Sequence, residues 1–300
     1  MMKTMPEESV AQKPRGTLTG FIPPIATPFR DGALDIDSLK RMVDDLADSV
    51  SGILLGGSVG ETPSLTLQER LHLMRELASY LGGSLPLAVS IADNSIENSR
   101  RLSEEAGELG ASLLVASSPN YFTNNRSMLE AYFASLSDFA SADLCLYDNP
   151  LATNTTPSVA DIKALRQAAP RLTAVKVTDT SIDKVEALRA ETDLIIYSGD
   201  DVVLWHQLTR GAEGAMVALP MIYPDLARAI WQAFSRGDLE TAFEEYAPFA
   251  RFVHLALGAP DYVPVIKTIL HHRGVIASPE VRVPLIPLSP RRRQEVISAL

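Results

Sequence analysis

The fold class is indicated most directly by residues 143–197, where two kinds of sequence pattern alternate. Short apolar runs occur in Asp143-Leu-Cys-Leu-Tyr147, Leu172-Thr-Ala-Val-Lys-Val177 and Leu194-Ile-Ile-Tyr197. Between them, residues 158–168 and 181–190 have the spacing of amphipathic helices. The apolar runs lack polar alternation, which is typical of parallel strands buried on both faces. This segment therefore predicts consecutive strand–helix–strand units.

The same alternation extends along the chain in both directions. Predicted strands are 18–27, 52–56, 85–91, 111–116, 143–147, 172–177, 194–197 and 214–218, and predicted helices are 36–49, 66–81, 94–109, 126–140, 158–168, 181–190 and 200–210. This many strands alternating with helices predicts an α/β fold of the (β/α)8 TIM-barrel type rather than an open sheet. No glycine-rich dinucleotide or phosphate fingerprint follows the first strand, which argues against a doubly wound sheet.

The chain is expected to form one structural unit with three regions. Residues 1–16 mix Lys, Glu, Pro and Gln without an apolar core, so they predict a disordered N-terminal arm and not a secretory signal. Residues 17–222 are expected to form the strands and helices of the barrel. Residues 223–300 are expected to form the last barrel helix and a C-terminal helical extension, with helices near 223–236, 238–257, 261–274 and 289–299.

The composition describes an ordinary globular chain and excludes several function classes. Among 300 residues, 27 basic and 37 acidic side chains give a net charge of −10, which speaks against binding to nucleic acid or to an anionic membrane. No run approaches the roughly 18 consecutive apolar residues of a membrane span. The one cysteine, Cys145, lies in an apolar run and is expected to be buried. A cytoplasmic location is the expectation that follows.

Candidate functional residues come from the predicted strand ends, because TIM-barrel active sites lie at the carboxyl ends of the strands. In chain order these ends are 27–28, 56–61, 118–121, 147–150, 176–178 and 198–201. They contain hydroxyl groups, one lysine and glycine-rich turns, but no cluster of His, Cys, Asp and Glu suited to a transition metal. We therefore expect no metal, and an imine formed by this lysine would act as the electron sink without an organic cofactor.

Lys176 is the most informative of these residues. It interrupts the apolar run 172–177, where a charged amine is costly unless it is neutral or paired. Burial lowers the pKa of a lysine, and a neutral amine can attack a carbonyl carbon to form an imine. The alternative hypothesis is an internal ion pair with Asp148 or Glu61.

Tyr147 and Ser58 are the next candidates. Tyr147 ends the strand before the one that contains Lys176, so a barrel would place the two side by side, and a phenol there could transfer protons. A core tyrosine with a satisfied hydroxyl is the alternative. Ser58 follows Gly56 and Gly57 in a turn whose small residues would let backbone amides converge on a carboxylate.

Taken together, these motifs resemble the dihydrodipicolinate synthase and N-acetylneuraminate lyase family of class I aldolases. The resemblance covers nearly the whole chain, from Gly20 to Leu300, and depends on the order and spacing of its pieces. These pieces are Ala26-Thr-Pro-Phe29, Gly57-Ser-Val-Gly-Glu61, Pro119-Asn-Tyr121, Tyr147-Asp-Asn-Pro150, Val175-Lys-Val177, Ser198-Gly-Asp-Asp201 and Arg282-Val-Pro-Leu-Ile-Pro-Leu288.

The resemblance implies a role for each of four residues. Lys176 matches the imine-forming lysine, and Tyr147 matches the tyrosine that handles protons beside it. Ser58 matches the hydroxyl residue that links this tyrosine to solvent and contacts the pyruvate carboxylate. Tyr121 resembles the tyrosine that each subunit lends to its neighbour's site, which implies a homodimer or homotetramer. Further substrate contacts are expected at Gly57, Val59, Thr178, Gly199, Asp201 and Met216.

The departures from the family pattern bear on the second substrate. Lysine-pathway synthases have an arginine where this chain has Ala152, so a substrate carboxylate would lose its bidentate clamp. Val59 replaces one of two hydroxyl residues in the turn. Thr178 and Asp201 match sugar-contacting residues of the lyases, yet Val202 and Ala218 stand where the lyases have a glutamate and a serine.

The predicted function is a Schiff-base lyase, aldolase or dehydratase that acts on a hydroxylated 2-oxo acid and releases or uses pyruvate. Two alternatives remain open. One is 4-hydroxy-tetrahydrodipicolinate synthase, and the other is a catalytically impaired barrel that binds a 2-oxo acid. The sequence leaves open which aldehyde is involved and whether the reaction is cleavage, condensation or dehydration.

Overall fold

A closed parallel barrel forms the centre of the computed structural model, which describes residues 18–257 and 261–300. The barrel strands are β1 (Gly20–Phe21), β2 (Pro24–Ile25), β5 (Ile53–Leu55), β6 (Leu87–Ser90), β7 (Leu113–Ser117), β8 (Leu144–Asp148), β9 (Leu172–Val177), β10 (Ile195–Ser198) and β11 (Gly214–Ala215); β3 (Phe29–Arg30) and β4 (Ala33–Leu34) form a separate antiparallel hairpin. Because β1 pairs with β11 and β2 pairs with β5, the sheet closes on itself.

The closure point requires glycine. Gly20 is in register with Gly214, and a side chain at Gly214 would begin 2.5 Å from the carbonyl oxygen of Gly20. Gly20 has φ of +98°, and a Cβ there would lie 2.2 Å from Oγ of Ser51. Glycine tolerates both the positive φ and the close approach of the two backbones, so the first and last strands can meet.

Helices surround the barrel and continue beyond it. They are α1 (Ile36–Leu46), α2 (Leu67–Leu81), α3 (Ile96–Glu108), α4 (Arg126–Phe139), α5 (Pro150–Thr153), α6 (Val159–Ala168), α7 (Ile182–Glu191), α8 (Leu204–Thr209), α9 (Leu219–Ile222), α10 (Pro224–Ser235), α11 (Leu239–Ala256), α12 (Tyr262–His272) and α13 (Pro290–Ser298). Thr66 with Glu69, and Ser158 with Asp161, form capping boxes that begin α2 and α6. No helix in the described part of the chain is long and apolar enough to cross a membrane.

Strand side chains divide between two apolar layers. One set fills the barrel interior and includes Cys145, Tyr147, Ala174 and Tyr197; a larger set packs the strands against the helices. Because side chains alternate along a strand, Lys176 lies on the same interior face as Ala174. The barrel thus directs the lysine and the tyrosine inward at the carboxyl ends of neighbouring strands.

The predicted (β/α)8 barrel with C-terminal helices is confirmed, and most predicted strands and helices differ from the observed ones only at their ends. The predicted strand 18–27 is divided into β1 and β2, because Pro23 and Pro24 have no N–H to donate to the ladder. The predicted strand 214–218 ends at Ala215, where the chain turns towards α9. The hairpin β3–β4 and the short helices α5 and α9 had no counterpart in the prediction. The predicted N-terminal arm, 1–16, lies outside the described residues.

Candidate functional site

Lys176 projects from β9 into the barrel beside two aromatic residues. In the sheet it is in register with Tyr147 on β8 and with Tyr197 on β10. Its side chain is almost fully buried, and Nζ lies 4.0 Å from the centre of the Tyr147 ring. The predicted juxtaposition of Lys176 and Tyr147 is therefore present.

The two carboxylates considered as ion-pair partners of Lys176 belong to other lysines. Asp148 pairs with Lys184 on α7, and Glu61 pairs with Lys267 on α12. Within residues 18–257 and 261–300, Lys176 has no carboxylate at ion-pair distance. An internal ion pair therefore does not explain why this lysine is buried.

Tyr147 is buried with its hydroxyl in a polar environment. Its Oη lies 3.5 Å from Oγ of Ser58 on the turn after β5. Burial acts to raise the pKa of the phenol, but the positive charge of Lys176 and hydrogen bonds with Ser58, Thr178 and Lys176 outweigh it. The pKa of Tyr147 is consequently below its ordinary value, which suits a group that exchanges protons.

A buried ion pair holds the turn that carries Ser58. Glu61 ends this turn with a left-handed φ of +51°, and its side chain and that of Lys267 are both fully buried. The second carboxylate oxygen accepts a hydrogen bond from the backbone N–H of Arg282 at 2.8 Å, and Lys267 also donates to the carbonyl of Glu280 at 2.6 Å. Burial lowers the pKa of Lys267, although Glu61 opposes this. The signal in the sequence was a lysine within the apolar stretch 263–270, which the prediction overlooked.

Replacement of Lys267 with methionine is expected to reduce the free energy of unfolding by about 3–5 kcal/mol, because the Glu61 carboxylate would remain buried without a counter-charge. Urea denaturation measures the loss. Lys163→Met is the matched control, since its pair with Glu191 is exposed and contributes only about 0–1 kcal/mol. The double variant Glu61→Leu with Lys267→Met should recover most of the loss, and a double variant as unstable as the single one would contradict this explanation.

The turn presents Ser58 but not Val59 to the site. Gly57 and Ser58 line the cavity described below, whereas Val59 is buried in the apolar layer between strands and helices. The backbone N–H of Gly57 donates to Oγ1 of Thr62 at 2.7 Å, so this amide already has a partner. The substrate contacts predicted for Gly57 and Val59 stay predictions, and the Val59 side chain is turned away from the cavity.

Gly199 provides the space that Lys176 occupies. A Cβ at Gly199 would lie 3.0 Å from Cε of Lys176 and 2.4 Å from Oγ1 of Thr178. Thr178 donates to the carbonyl of Gly199 at 3.3 Å, which ties the ends of β9 and β10 together. Met216 is fully buried in the barrel interior, in the same apolar cluster as Tyr147. Gly199 therefore lies against Lys176, with Thr178 bonded to Gly199 and Met216 in the cluster of Tyr147, and the contacts of these residues with a substrate stay predictions.

The carboxylate of Asp201 already accepts hydrogen bonds from groups of the protein itself. Its two carboxylate oxygens accept hydrogen bonds from the backbone N–H groups of Ala218 and Leu219, both at 3.0 Å, at the start of α9. The hydroxyl of Tyr262 donates to the same carboxylate at 2.7 Å. Asp201 thus connects the end of β10 with α9 and α12, and its predicted sugar contact stays a prediction that these bonds do not favour.

The stability of the protein is expected to fall as pH rises through about 6 because of Asp201. Burial raises the pKa of this carboxyl to about 6, although its hydrogen bonds oppose the shift. The folded state therefore holds a proton that the unfolded state releases near pH 4, so the free energy of unfolding decreases between these values. In Asp201→Asn the decrease should be smaller, as measured by urea unfolding at several pH values. Parallel profiles for wild type and variant would show that the pKa of Asp201 is not raised.

Ser58 and Tyr147 line a cavity of about 320 Å³ at the carboxyl ends of β5 to β8. Its other lining groups are mostly neutral and polar, and Ala152, at the position of the missing arginine, is among them. Among the described residues, the charged groups that line it are Arg70 and Asp93, and they pair with each other at 3.2 Å. In the described residues, no group of three or more His, Cys, Asp and Glu side chains is placed to hold a metal ion.

Tyr121 follows β7 and lies at the protein surface. Its side chain is 83% exposed and its ring packs edge-on against the exposed ring of Phe122. The structure thus brings Lys176, Tyr147 and Ser58 together within one chain, but leaves Tyr121 at the protein surface. Asn120, directly before it, lines the cavity.

A parallel barrel with a polar cavity at the carboxyl ends of its strands defines an α/β-barrel enzyme. Comparison with solved structures agrees. The putative dihydrodipicolinate synthetase from Pseudomonas aeruginosa superimposes with a TM-score of 0.88 at 25% identity, covering 94% of this chain and 98% of its own. YagE, a prophage protein of E. coli K12 solved in complex with pyruvate, gives a TM-score of 0.87 at 26% identity, covering 93% and 96%.

Comparison of sequences leads to the family. The 4-hydroxy-tetrahydrodipicolinate synthase of Corynebacterium aurimucosum is 28% identical over 274 residues, which cover 91% of this chain and 89% of that protein. The model of the dihydrodipicolinate synthetase family matches residues 17–300. The chain therefore belongs to this family and is a lyase of the class I aldolase type.

Proposed function

We propose that the protein cleaves or forms a carbon–carbon bond, or removes water, in a hydroxylated 2-oxo acid through an imine between Lys176 and the 2-oxo carbon. The observation that carries this proposal is the environment of Lys176. Its amine is buried, has no carboxylate partner in the described part of the chain, and lies 4.0 Å from the centre of the Tyr147 ring. A buried lysine without a counter-ion, next to a proton-transfer group, has the features of a Schiff-base nucleophile.

In the cleavage direction, the amine nitrogen of Lys176 attacks C2 of the 2-oxo acid to form a carbinolamine. Loss of water, with a proton supplied by Tyr147, leaves the protonated imine. The phenolate of Tyr147 then removes the proton from the C4 hydroxyl, the C3–C4 bond breaks, and its electrons move to the iminium as the aldehyde leaves. Protonation of the resulting enamine at C3 and addition of water release pyruvate and the free lysine.

Because the cavity is lined mostly by neutral polar groups, it suits a substrate with hydroxyl groups better than a substrate with a second carboxylate. Ala152 offers no charge, and the guanidinium of Arg70 is occupied by Asp93 and by the carbonyl of Ser90, 3.0 Å away.

A second candidate function is that of a 4-hydroxy-tetrahydrodipicolinate synthase, because relatives such as the Corynebacterium aurimucosum enzyme carry this name. A coupled assay with pyruvate and aspartate semialdehyde separates the two, since appreciable turnover would favour the synthase.

Reductive trapping tests the imine itself. Incubation with pyruvate and borohydride, followed by peptide mass spectrometry, should place the reduced adduct on Lys176. An unmodified Lys176 under conditions that trap a known imine enzyme would refute the proposal. Trapping without turnover on a panel of sugar-derived 2-oxo acids would instead favour a barrel that binds the 2-oxo acid without completing catalysis.

Tyr121 is proposed to complete the site of a partner subunit, and mixing two variants tests this. Tyr121→Phe and Lys176→Ala should each be nearly inactive alone. A hybrid dimer of the two has one site with both changes and one site with neither, so co-expression should restore part of the activity. Monomeric sedimentation, or no activity despite proven hybrids, would assign Tyr121 to its own chain.

A further inference from the structure

The side chain of Asn149 contacts the hydroxyl of Tyr147. Asn149 follows β8 directly and is buried, and its Nδ2 donates to Oη of Tyr147 at 3.0 Å. Its Oδ1 accepts from the backbone N–H of Ala152 at 3.4 Å, as the N-cap of α5. The Ala152 N–H also donates to the backbone carbonyl of Asn149 at 3.2 Å. The opposite orientation of the amide would turn its NH2 group towards this N–H, donor against donor, so the cap favours the orientation in which Nδ2 faces the phenol.

This contact makes the phenol oxygen of Tyr147 a hydrogen-bond acceptor. The phenol oxygen accepts from Asn149, and its own O–H can donate to Ser58, whose Oγ lies 3.5 Å away, to Thr178 or Lys176, or to a substrate in the cavity. A donor to the oxygen also stabilises the phenolate more than the phenol, because hydrogen bonds to charged groups are the stronger ones. The phenolate is the form that Tyr147 adopts each time it gives up its proton.

We propose that Asn149 is a positioning residue for Tyr147, which holds the phenol oxygen by an amide N–H and stabilises the phenolate during proton transfer. This inference rests on the proposed imine chemistry for its kinetic consequence, but not for the contact itself. It also gives Asn149 a function that capping alone does not require. An aspartate caps a helix as well as an asparagine does, but has no N–H to donate.

Two variants distinguish the role of Asn149 as a helix cap from its role as a hydrogen-bond donor to Tyr147. Asn149→Asp retains the helix cap but replaces the N–H donor with an oxygen acceptor. Asn149→Ser also retains a capping hydroxyl, but the serine side chain is too short to reach the Tyr147 hydroxyl.

The kinetic probe is the exchange of the methyl protons of pyruvate in D2O, followed by NMR. This exchange reports enamine formation and does not require the unidentified aldehyde. Both variants should lose roughly 10- to 100-fold in exchange rate, the equivalent of one hydrogen bond to a charged group. Their pH–rate profiles should shift to higher pH.

A second probe does not depend on catalysis. In protein with 13C-labelled tyrosine, the Cζ resonance of Tyr147 is assigned by its absence in Tyr147→Phe. Its titration midpoint should move upward in Asn149→Ser. In the Tyr147→Phe background, Asn149→Ser should change the exchange rate less than about threefold, because the group that it acts on is gone.

The outcomes distinguish the two proposals. If Asn149→Asp keeps the wild-type exchange rate and pH profile, or if the Tyr147 midpoint does not move in Asn149→Ser, the role of Asn149 is refuted while the imine chemistry stands. If wild type shows neither trapping nor exchange, the proposed function fails. In that case the Tyr147 titration still decides whether Asn149 acts on the phenol. Thermal melting of each variant establishes that it is folded.

Discussion

Lys176→Ala is expected to abolish the borohydride-trapped adduct with pyruvate and all turnover that depends on an imine. Lys176 lies over the Tyr147 ring, whereas two other buried lysines, Lys184 and Lys267, are held by buried carboxylates. Removal of a buried amine should cost at most a few kcal/mol of stability, so the variant should fold. Intact-protein mass spectrometry after trapping measures the adduct.

A matched control is Lys163→Ala, which removes an exposed lysine and should trap pyruvate like wild type. Circular dichroism and thermal melting establish that Lys176→Ala is folded. An adduct at undiminished yield in Lys176→Ala would show that another amine reacts, and would refute the assignment of Lys176.

Tyr147→Phe is expected to lower turnover by about 10²- to 10⁴-fold, the usual loss when a positioned proton-transfer group is removed. The phenyl ring can still pack over Lys176, so imine trapping at long incubation should persist while enamine formation becomes slow. Steady-state kinetics on the true substrate, or methyl-proton exchange of pyruvate, measures the change.

Tyr197→Phe is a control on the other side of Lys176. Tyr197 is the neighbour of Lys176 on β10, but its hydroxyl donates to the carbonyl of Leu18 at 2.6 Å. Removal of the Tyr197 hydroxyl should affect stability and leave the rate of proton transfer nearly unchanged.

If the turnover of Tyr147→Phe is instead within a few-fold of wild type, the Tyr147 hydroxyl has a structural role.

Local sequence patterns were sufficient for the barrel and for the proximity of Tyr147 and Lys176. Strands buried on both faces, such as Leu172–Val177, leave an uninterrupted apolar run, and a lysine within that run stands out. Since neighbouring parallel strands end at the same edge, the order of the strands was enough to place Tyr147 beside Lys176.

Contacts between distant residues could not be predicted in this way. The partners of Glu61 and Asp148 lie on helices α12 and α7, and no local pattern pairs a carboxylate with a lysine that follows much later in the chain. The direction of Val59 and the occupation of Asp201 by α9 and Tyr262 likewise depend on how loops pack on the barrel. The Asn149 contact depends on which way an amide is turned, and the cap of α5 determines that only in the folded protein.

The pairing of Gly20 with Gly214 has a consequence for the nascent chain. Residue 20 leaves the ribosome long before residue 214, and at 5–20 residues per second the delay is roughly 10 to 40 s. During this interval the growing sheet has two unpaired edges, whose free N–H and C=O groups can pair with other chains. Arrival of Gly214 removes both edges at once, so exposure to edge-to-edge association during synthesis ends with the synthesis of β11.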